Sequence, residues 1–330
     1  MRVAASGGPP NETMALPATQ SGRAVVTGAA GALGQSLVEC LSVRGFEVLG
    51  MDRVPPKASA TSIGGAVAFQ VCDVATARFE ELVRPGDVVF HLAAYVHRLP
   101  RTPEEIREVH EVNHHATARL AAACLAAGAT LVFVSTIAVE AITEYGRSKA
   151  AAEDAIRALG QRGLRFSILR FPLLYGPNGR GNMERMLGAI RTGRYWPVGD
   201  QSTPKSCLYL DDAARALVLA GRGALGGTFV AAPDPIPTLG QIHAAAYSAV
   251  GRRLPVLAVP RGLALGVAHL LKHLLALANR STRLAEQVET LTAPAGVDGG
   301  AFARETGFCP EVGLVEGMRR TARWLERGSP

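Results

Sequence analysis

Three glycines constrain this chain most. They stand in Gly28-Ala29-Ala30-Gly31-Ala32-Leu33-Gly34, after the β-branched run Arg23 to Thr27 and before a helical pattern from Ala32 to Arg44. A strand that turns through glycine into a helix makes a seat for phosphate. The turn is tight, the backbone can approach the ligand, and the N–H groups and positive dipole end of the helix face it. Gly28 then makes the turn, Gly31 admits the pyrophosphate, Ala32 and Leu33 open the helix toward it, and Gly34 lets helix pack on strand. Asp52 follows Gly28 by 24 positions, at the end of a second apolar run from Phe46 to Met51. A carboxylate there accepts hydrogen bonds from ribose hydroxyls and repels a 2′-phosphate, which favours NAD over NADP, although Arg53 beside it would tolerate a phosphate.

The rest of the chain repeats this alternation. Apolar runs at Val67 to Val71, Asp87 to Leu92, Leu131 to Val134 and Phe166 to Leu169 are separated by helical patterns at Thr102 to Ala127 and Tyr145 to Leu159. Strands alternating with helices form βαβ units, and strands without polar alternation are covered on both faces. The expected fold is therefore α/β, a doubly wound parallel sheet. Past Gly176 the elements shorten and glycine and proline become frequent, and the last stretch is mainly helical. This predicts residues 1–22 as a mobile tail, 23–175 as the dinucleotide-binding domain and 176–330 as a smaller, mostly helical substrate domain, with 206–232 returning to the first.

Composition narrows the partners. Hydrophobic residues make up 48% of the 330 positions and charged residues only 19%, so the chain is globular. The formal charge of +7 comes from dispersed cations with no long basic run, which suits anionic small molecules better than nucleic acid. Five widely spaced cysteines without a CxxC pair indicate neither a disulfide framework nor a zinc site, and a cytoplasmic setting is expected. His269 and His273 are four apart but lack the HExxH carboxylate, so no metal site is expected. The apolar stretch Leu263 to Ala278 is interrupted by His269, Lys272 and His273, which predicts a core helix of the small domain rather than a membrane span. Lys272 and the flanking Arg261 and Arg280 leave peripheral contact with a bilayer as the alternative.

Two further motifs carry chemistry. Tyr145 and Lys149 are four apart at the start of a helix, so phenol and ammonium share a face. An ammonium beside a phenol favours the phenolate and makes tyrosine a usable base. Ser135-Thr136 ends the fifth strand, where a hydroxyl could bond the substrate oxygen that Tyr145 deprotonates.

Together these residues resemble the extended short-chain dehydrogenase/reductase family, in its NAD-dependent sugar epimerase/dehydratase branch, over residues 23–330. The resemblance implies a Rossmann domain. It implies that Gly28, Gly31, Gly34 and Asp52 hold NAD, that Asp73 and Val74 meet adenine, and that Leu92, Ala93 and Ala94 lie along the cofactor. It also places Asn113, Ser135 and Pro172 on the cofactor side and makes Tyr145, Lys149 and Thr136 catalytic. A finer similarity lies in Gly179-Arg-Gly-Asn-Met183, Gly193 to Gly199 and Lys205-Ser206, which resemble surface-polysaccharide epimerases acting on UDP-N-acetylhexosamines or undecaprenyl-diphosphate-linked N-acetylhexosamine. That similarity implies that Asn182 and Lys205 hold a substrate diphosphate, in an enzyme working as a homodimer.

Two departures sharpen the reading. Ile137 and Ala138 occupy the positions where dehydratases of the branch carry Asp-Glu, which argues against loss of water. Tyr145 follows Thr136 by only nine positions, so a substrate-side loop of the family is missing. The expected activity is C4 epimerisation of a UDP-linked sugar through a 4-keto intermediate. The alternatives are an NAD(P)-dependent dehydrogenase or reductase, an epimerase of the lipid-linked sugar, and a non-catalytic NAD-binding subunit.

Overall fold

The computed structural model of the chain describes residues 22–55, 66–96, 100, 102–141, 143–179, 181–277 and 284–327. Apart from Gly22, the expected tail lies outside them. The chain opens with β1 (Arg23–Thr27), α1 (Ala32–Ser42), β2 (Glu47–Asp52), β3 (Val67–Val71) and β4 (Val88–His91). Next come α2 (Pro103–His110), α3 (Ala116–Ala127), β5 (Thr130–Thr136), α4 (Glu144–Gly160), β6 (Arg165–Phe171) and β7 (Leu173–Tyr175). They are followed by α5 (Asn182–Arg191), β8 (Cys207–Tyr209), α6 (Leu210–Gly223), β9 (Thr228–Val230) and α7 (Leu239–Ala249). The chain closes with α8 (Arg261–Leu277), α9 (Leu284–Thr292), α10 (Gly300–Thr306) and α11 (Leu314–Glu326).

Seven strands pair in parallel in the order β3-β2-β1-β4-β5-β6-β9, and β7 pairs with β8 in a small second sheet. Strand order therefore reverses between β1 and β4, and in such sheets the crevice beyond the carboxyl ends at the reversal takes the ligand. Apolar side chains fill both faces. Leu37 and Leu41 of α1 and Leu217 of α6 cover one, and Leu120 of α3 and Ile156 of α4 cover the other. A third cluster joins Met186 and Ile190 of α5 to Tyr175, Ile242 and Met318, and holds the smaller lobe together.

Local chemistry sets the helix ends. Thr102 caps α2 by accepting from the Glu105 N–H at 3.2 Å, Pro103 opens it, and Gly128 ends α3 at φ +67°. Between α2 and α3 the structure departs from the single helix expected, because Glu111–His115 form one π turn. The wide turn swings Asn113 inward, where it is buried.

The Leu263 to Ala278 stretch is helical to Leu277, the end of α8, and Ala278 lies outside the described residues; by its described side chains α8 is not a core helix. Ala268 alone of its described side chains is fully buried, whereas Leu263, Val267 and Leu270 are exposed. Its main neighbour is α9. Among the described residues no helix is long and apolar enough to cross a membrane.

Candidate active site

The carboxyl ends of β1 to β5 open into one cavity of about 680 Å³, closed opposite by the β6–β7 connection and the start of α5. The glycine loop forms its floor. Gly28 has φ +73°, and a Cβ there would stand 2.8 Å from the Ala93 nitrogen. A Cβ on Gly34 would stand 2.1 Å from the Gly28 oxygen, so only glycine lets α1 pack this close. Gly31 caps α1 without any side-chain hydrogen bond, which leaves the first-turn N–H groups of Ala32 and Leu33 to a ligand. Asp52 is pinned at the rim: Oδ2 accepts from Ala30 N–H at 3.0 Å and Oδ1 from Arg53 N–H at 2.7 Å. Arg53, Asp73, Val74, Leu92, Ala93, Ala94 and Pro172 line the same cavity. These residues fit a dinucleotide: backbone donors for the pyrophosphate, a fixed carboxylate for the ribose, and apolar walls on either side.

Thr136, Ser135 and Tyr145 stand at the inner end of this cavity. Burial pushes the Tyr145 phenol up to about 12. Thr136 Oγ1 accepts from the Ala138 N–H at 3.1 Å, so its own proton remains for a ligand oxygen. Ser135 is different. Its Oγ donates to Glu153 Oε1 at 2.6 Å, so its proton is committed to the core although the residue lines the cavity.

Glu153 is fully buried and gathers several donors. Arg170 binds it through two nitrogens at 2.9 and 2.7 Å, and Arg157 adds a third contact. Burial works to raise its pKa, but the bonds from Arg170 and Ser135 and the neighbouring charges outweigh it and hold the carboxyl below its usual range. Sequence reasoning passed over this residue. The signal was present: a Glu four positions after Lys149, on the same helix face and directly after an alanine run.

Lys149, Asn113 and Lys205 do not line the cavity. Lys149 is buried beneath it, with Nζ donating to the Val134 carbonyl at 2.6 Å and lying 3.9 Å from the centre of the Phe133 ring. Burial brings its pKa down to about 7, against a smaller upward pull from Glu153. Asn113 braces the site rather than touching a ligand. Its side chain accepts from Tyr95 N–H at 2.6 Å and donates to Ser148 Oγ at 3.0 Å, and Ser148 in turn donates to the Tyr145 carbonyl.

Lys205 departs furthest from expectation. Its ammonium donates to the carbonyls of Thr290 and Ala293 at the end of α9, where a helix leaves acceptors unpaired and the dipole favours a cation. It lines only a small side pocket, which shares Asn182 and Leu173 with the main cavity. Asn182 reaches both, as the first residue of α5.

A buried histidine, also missed, ties the halves together. His91 Nε2 lies 2.9 Å from Thr117 Oγ1, whose one proton goes to the Asn113 carbonyl. Nε2 must therefore donate, and Nδ1 accepts from Thr27 Oγ1 at 2.6 Å. Thr27 Oγ1 also receives the Ala93 N–H. The chain of bonds runs from the glycine loop to the backbone of Tyr145.

A family model for NAD dependent epimerases/dehydratases matches residues 24–231. The chain belongs to the NAD dependent epimerase/dehydratase family. NAD is the cofactor of that family. The family member is 30% identical over 203 residues to ceramide reductase of Caulobacter vibrioides, covering 60% of each chain. It is 26% identical to 2-alkyl-3-oxoalkanoate reductase of Stenotrophomonas maltophilia, over 90% of this chain and 97% of that one. N-acetyl-alpha-D-glucosaminyl-diphospho-ditrans,octacis-undecaprenol 4-epimerase of Escherichia coli O157:H7 is 24% identical, over 72% and 75%. Among solved structures, UDP-N-acetylglucosamine 4-epimerase from Methanobrevibacter ruminantium M1 superposes with TM-score 0.73 at 20% identity, over 93% and 99%. UDP-glucuronic acid 4-epimerase from Bacillus cereus in complex with NAD gives 0.73 at 18%, over 93% and 100%. These two likenesses are of fold.

Proposed function

We propose that this protein is an NAD-dependent epimerase that inverts a hydroxyl-bearing carbon of a diphosphate-linked sugar, C4 of a UDP-N-acetylhexosamine or UDP-hexose in the first instance. The observation that carries the reading is the convergence of Tyr145 and Thr136 on the inner end of the cavity, with apolar Ile137 and Ala138 where a dehydratase needs acid and base. Bound NAD supplies a hydride acceptor and donor. Thr136 donates a hydrogen bond to the sugar oxygen and holds it against Tyr145. Tyr145 takes the hydroxyl proton as the carbon becomes a ketone and returns it once the sugar has turned over. The charged form of Lys149, below the cavity wall, favours the phenolate. The start of α5, where Gly181 caps without a side-chain bond and Asn182 and Arg185 line the cavity, suits the diphosphate. In this reading the enzyme works in the cytoplasm as a homodimer.

A second reading has its own support. The relative spanning 90% of the chain is a 2-alkyl-3-oxoalkanoate reductase, and Lys205, the expected diphosphate ligand, is engaged elsewhere. A reductase would use the same Tyr145 as a proton donor to a ketone. Purified protein incubated with UDP-N-acetylglucosamine or undecaprenyl-diphospho-N-acetylglucosamine and no added cofactor, and separately with NADH and a 3-oxoalkanoate, decides between them. Inversion at C4 supports the epimerase. Stoichiometric loss of NADH with a 3-oxoalkanoate, and no sugar inversion on either carrier, supports the reductase.

A further inference from the structure

Residues 235–285 contain six Lys/Arg and no Asp/Glu. Among the described residues, the exposed Leu and Trp side chains fall within or against this stretch. Val256 is 99% exposed and Leu257 77%, in the loop that leads into α8. Trp196 is fixed to that loop, its Nε1 donating to the Leu257 carbonyl at 2.8 Å, with 54% of its surface open. On α8, Leu263, Val267, Leu270 and Leu271 are spaced i, i+4, i+7, i+8, so they share one face, and all four are exposed. Arg252, Arg253 and Arg261, in the same segment, are exposed as well.

We infer that this face is a docking surface for an anionic lipid bilayer. The α8 stripe, Val256 and Leu257 would enter the boundary between headgroups and acyl chains, and the arginines would meet lipid phosphates. An exposed apolar face of this extent in a water-soluble fold marks an interaction site. Its charge selects the partner. Two copies of the chain joined through this face would set Arg252, Arg253 and Arg261 of one against those of the other, at a cost in repulsion. A phosphate-rich bilayer satisfies both the cations and the leucines. The inference stands apart from the choice between epimerase and reductase, since it rests on surface residues alone. It does have a consequence for either: α8 packs on α9, and Thr290 and Leu291 of α9 line the side pocket shared with the substrate end of the cavity. Docking there sets the substrate end one helix layer from lipid.

Vesicle flotation of the full chain tests this. The protein should float with phosphatidylcholine vesicles that contain phosphatidylglycerol, at low ionic strength, and stay behind with phosphatidylcholine alone. Arg252→Glu/Arg253→Glu/Arg261→Glu should lower partitioning at least roughly tenfold. Val256→Ser/Leu257→Ser should lower it several-fold at unchanged charge. NAD binding, retained in both variants, serves as the folding control. The inference is overturned if the native chain fails to float with anionic vesicles, or if both variants float as it does. It is equally overturned if native protein self-associates and the Val256→Ser/Leu257→Ser variant does not, which would make the face a contact between copies.

Discussion

Thr27 Oγ1 and His91 Nδ1 lie 2.6 Å apart across the β1–β4 pair, with both residues fully buried. Burial, and then the charge of Lys149, bring His91 down to about 3 from 6.5. Between these values the unfolded chain binds a proton that the folded one refuses. Stability is therefore intact above pH 6.5, declines as pH falls toward 3, and loses up to about 5 kcal/mol from this group. Denaturant unfolding at about pH 7 and about pH 4 measures the slope. His91→Gln should flatten it. Parallel slopes would mean that acid lability arises elsewhere.

Gly34→Ala should be severe, because its methyl group would meet the Gly28 carbonyl, backbone that cannot swing aside. Overpacking of this kind costs roughly 1–3 kcal/mol or more, as α1 is pushed off β1. NAD affinity should fall at least tenfold along with Tm, since the same displacement spoils the first-turn N–H groups. A variant with wild-type Tm and wild-type NAD affinity would show that α1 can slide at little cost.

Asp52 sets cofactor choice by charge. Asp52→Ser removes the carboxylate that would repel a 2′-phosphate, and exposed Arg53 remains beside it. The ratio of NAD to NADP affinity should fall about tenfold, a change of about 1.4 kcal/mol. An unchanged ratio would place the ribose elsewhere.

The two adjacent hydroxyls divide their work. Thr136→Val should lower kcat by roughly 10²-fold with little change in Tm, because its proton is the one left for substrate. Ser135→Ala should do the reverse. Glu153 would lose a donor inside the core, costing about 1–3 kcal/mol of stability with kcat within a few-fold of wild type. Measuring both quantities on both variants separates the roles, and equal kcat losses would contradict them.

How far the sequence could be read follows from the range of the interactions involved. The turn at Gly28 and the ends of the helical pattern near Thr102 and Ala127 are decided by residues within a few positions, and all three stand where the pattern placed them. Lys205 could not be read this way. Its partners lie 85 and 88 positions on, and only packing brings the end of α9 to it. The π turn around Asn113 adds one residue to a turn within a stretch whose sequence pattern reads as one helix. Periodicity located α8 too, but whether a helix face is covered depends on which neighbour is available. Glu153 is the intermediate case: its spacing from Lys149 is visible in the sequence, whereas its partner Arg170 lies 17 positions on and only the fold brings them together.

Lys149 offers the sharpest test of the catalytic reading. Burial brings its pKa from 10.5 down to about 7, while Tyr145 is pushed up to about 12. A phenol that high is protonated at neutral pH, so turnover needs the phenolate to be favoured by nearby positive charge, which Lys149 and a bound oxidised nicotinamide both provide. Lys149→Met removes the protein's share. Its kcat should fall by roughly 10²-fold or more, and the rise of activity with pH should move to higher pH. Stability gives an independent signature. Between about 7 and 10.5 the unfolded chain holds a proton that folded Lys149 does not, so native stability should increase as pH rises through that window. The Met variant, with nothing to titrate there, should show a flatter profile and higher stability at neutral pH. If its activity profile keeps the wild-type position while its stability profile flattens, Lys149 is a buried structural residue and the phenolate is favoured by other means.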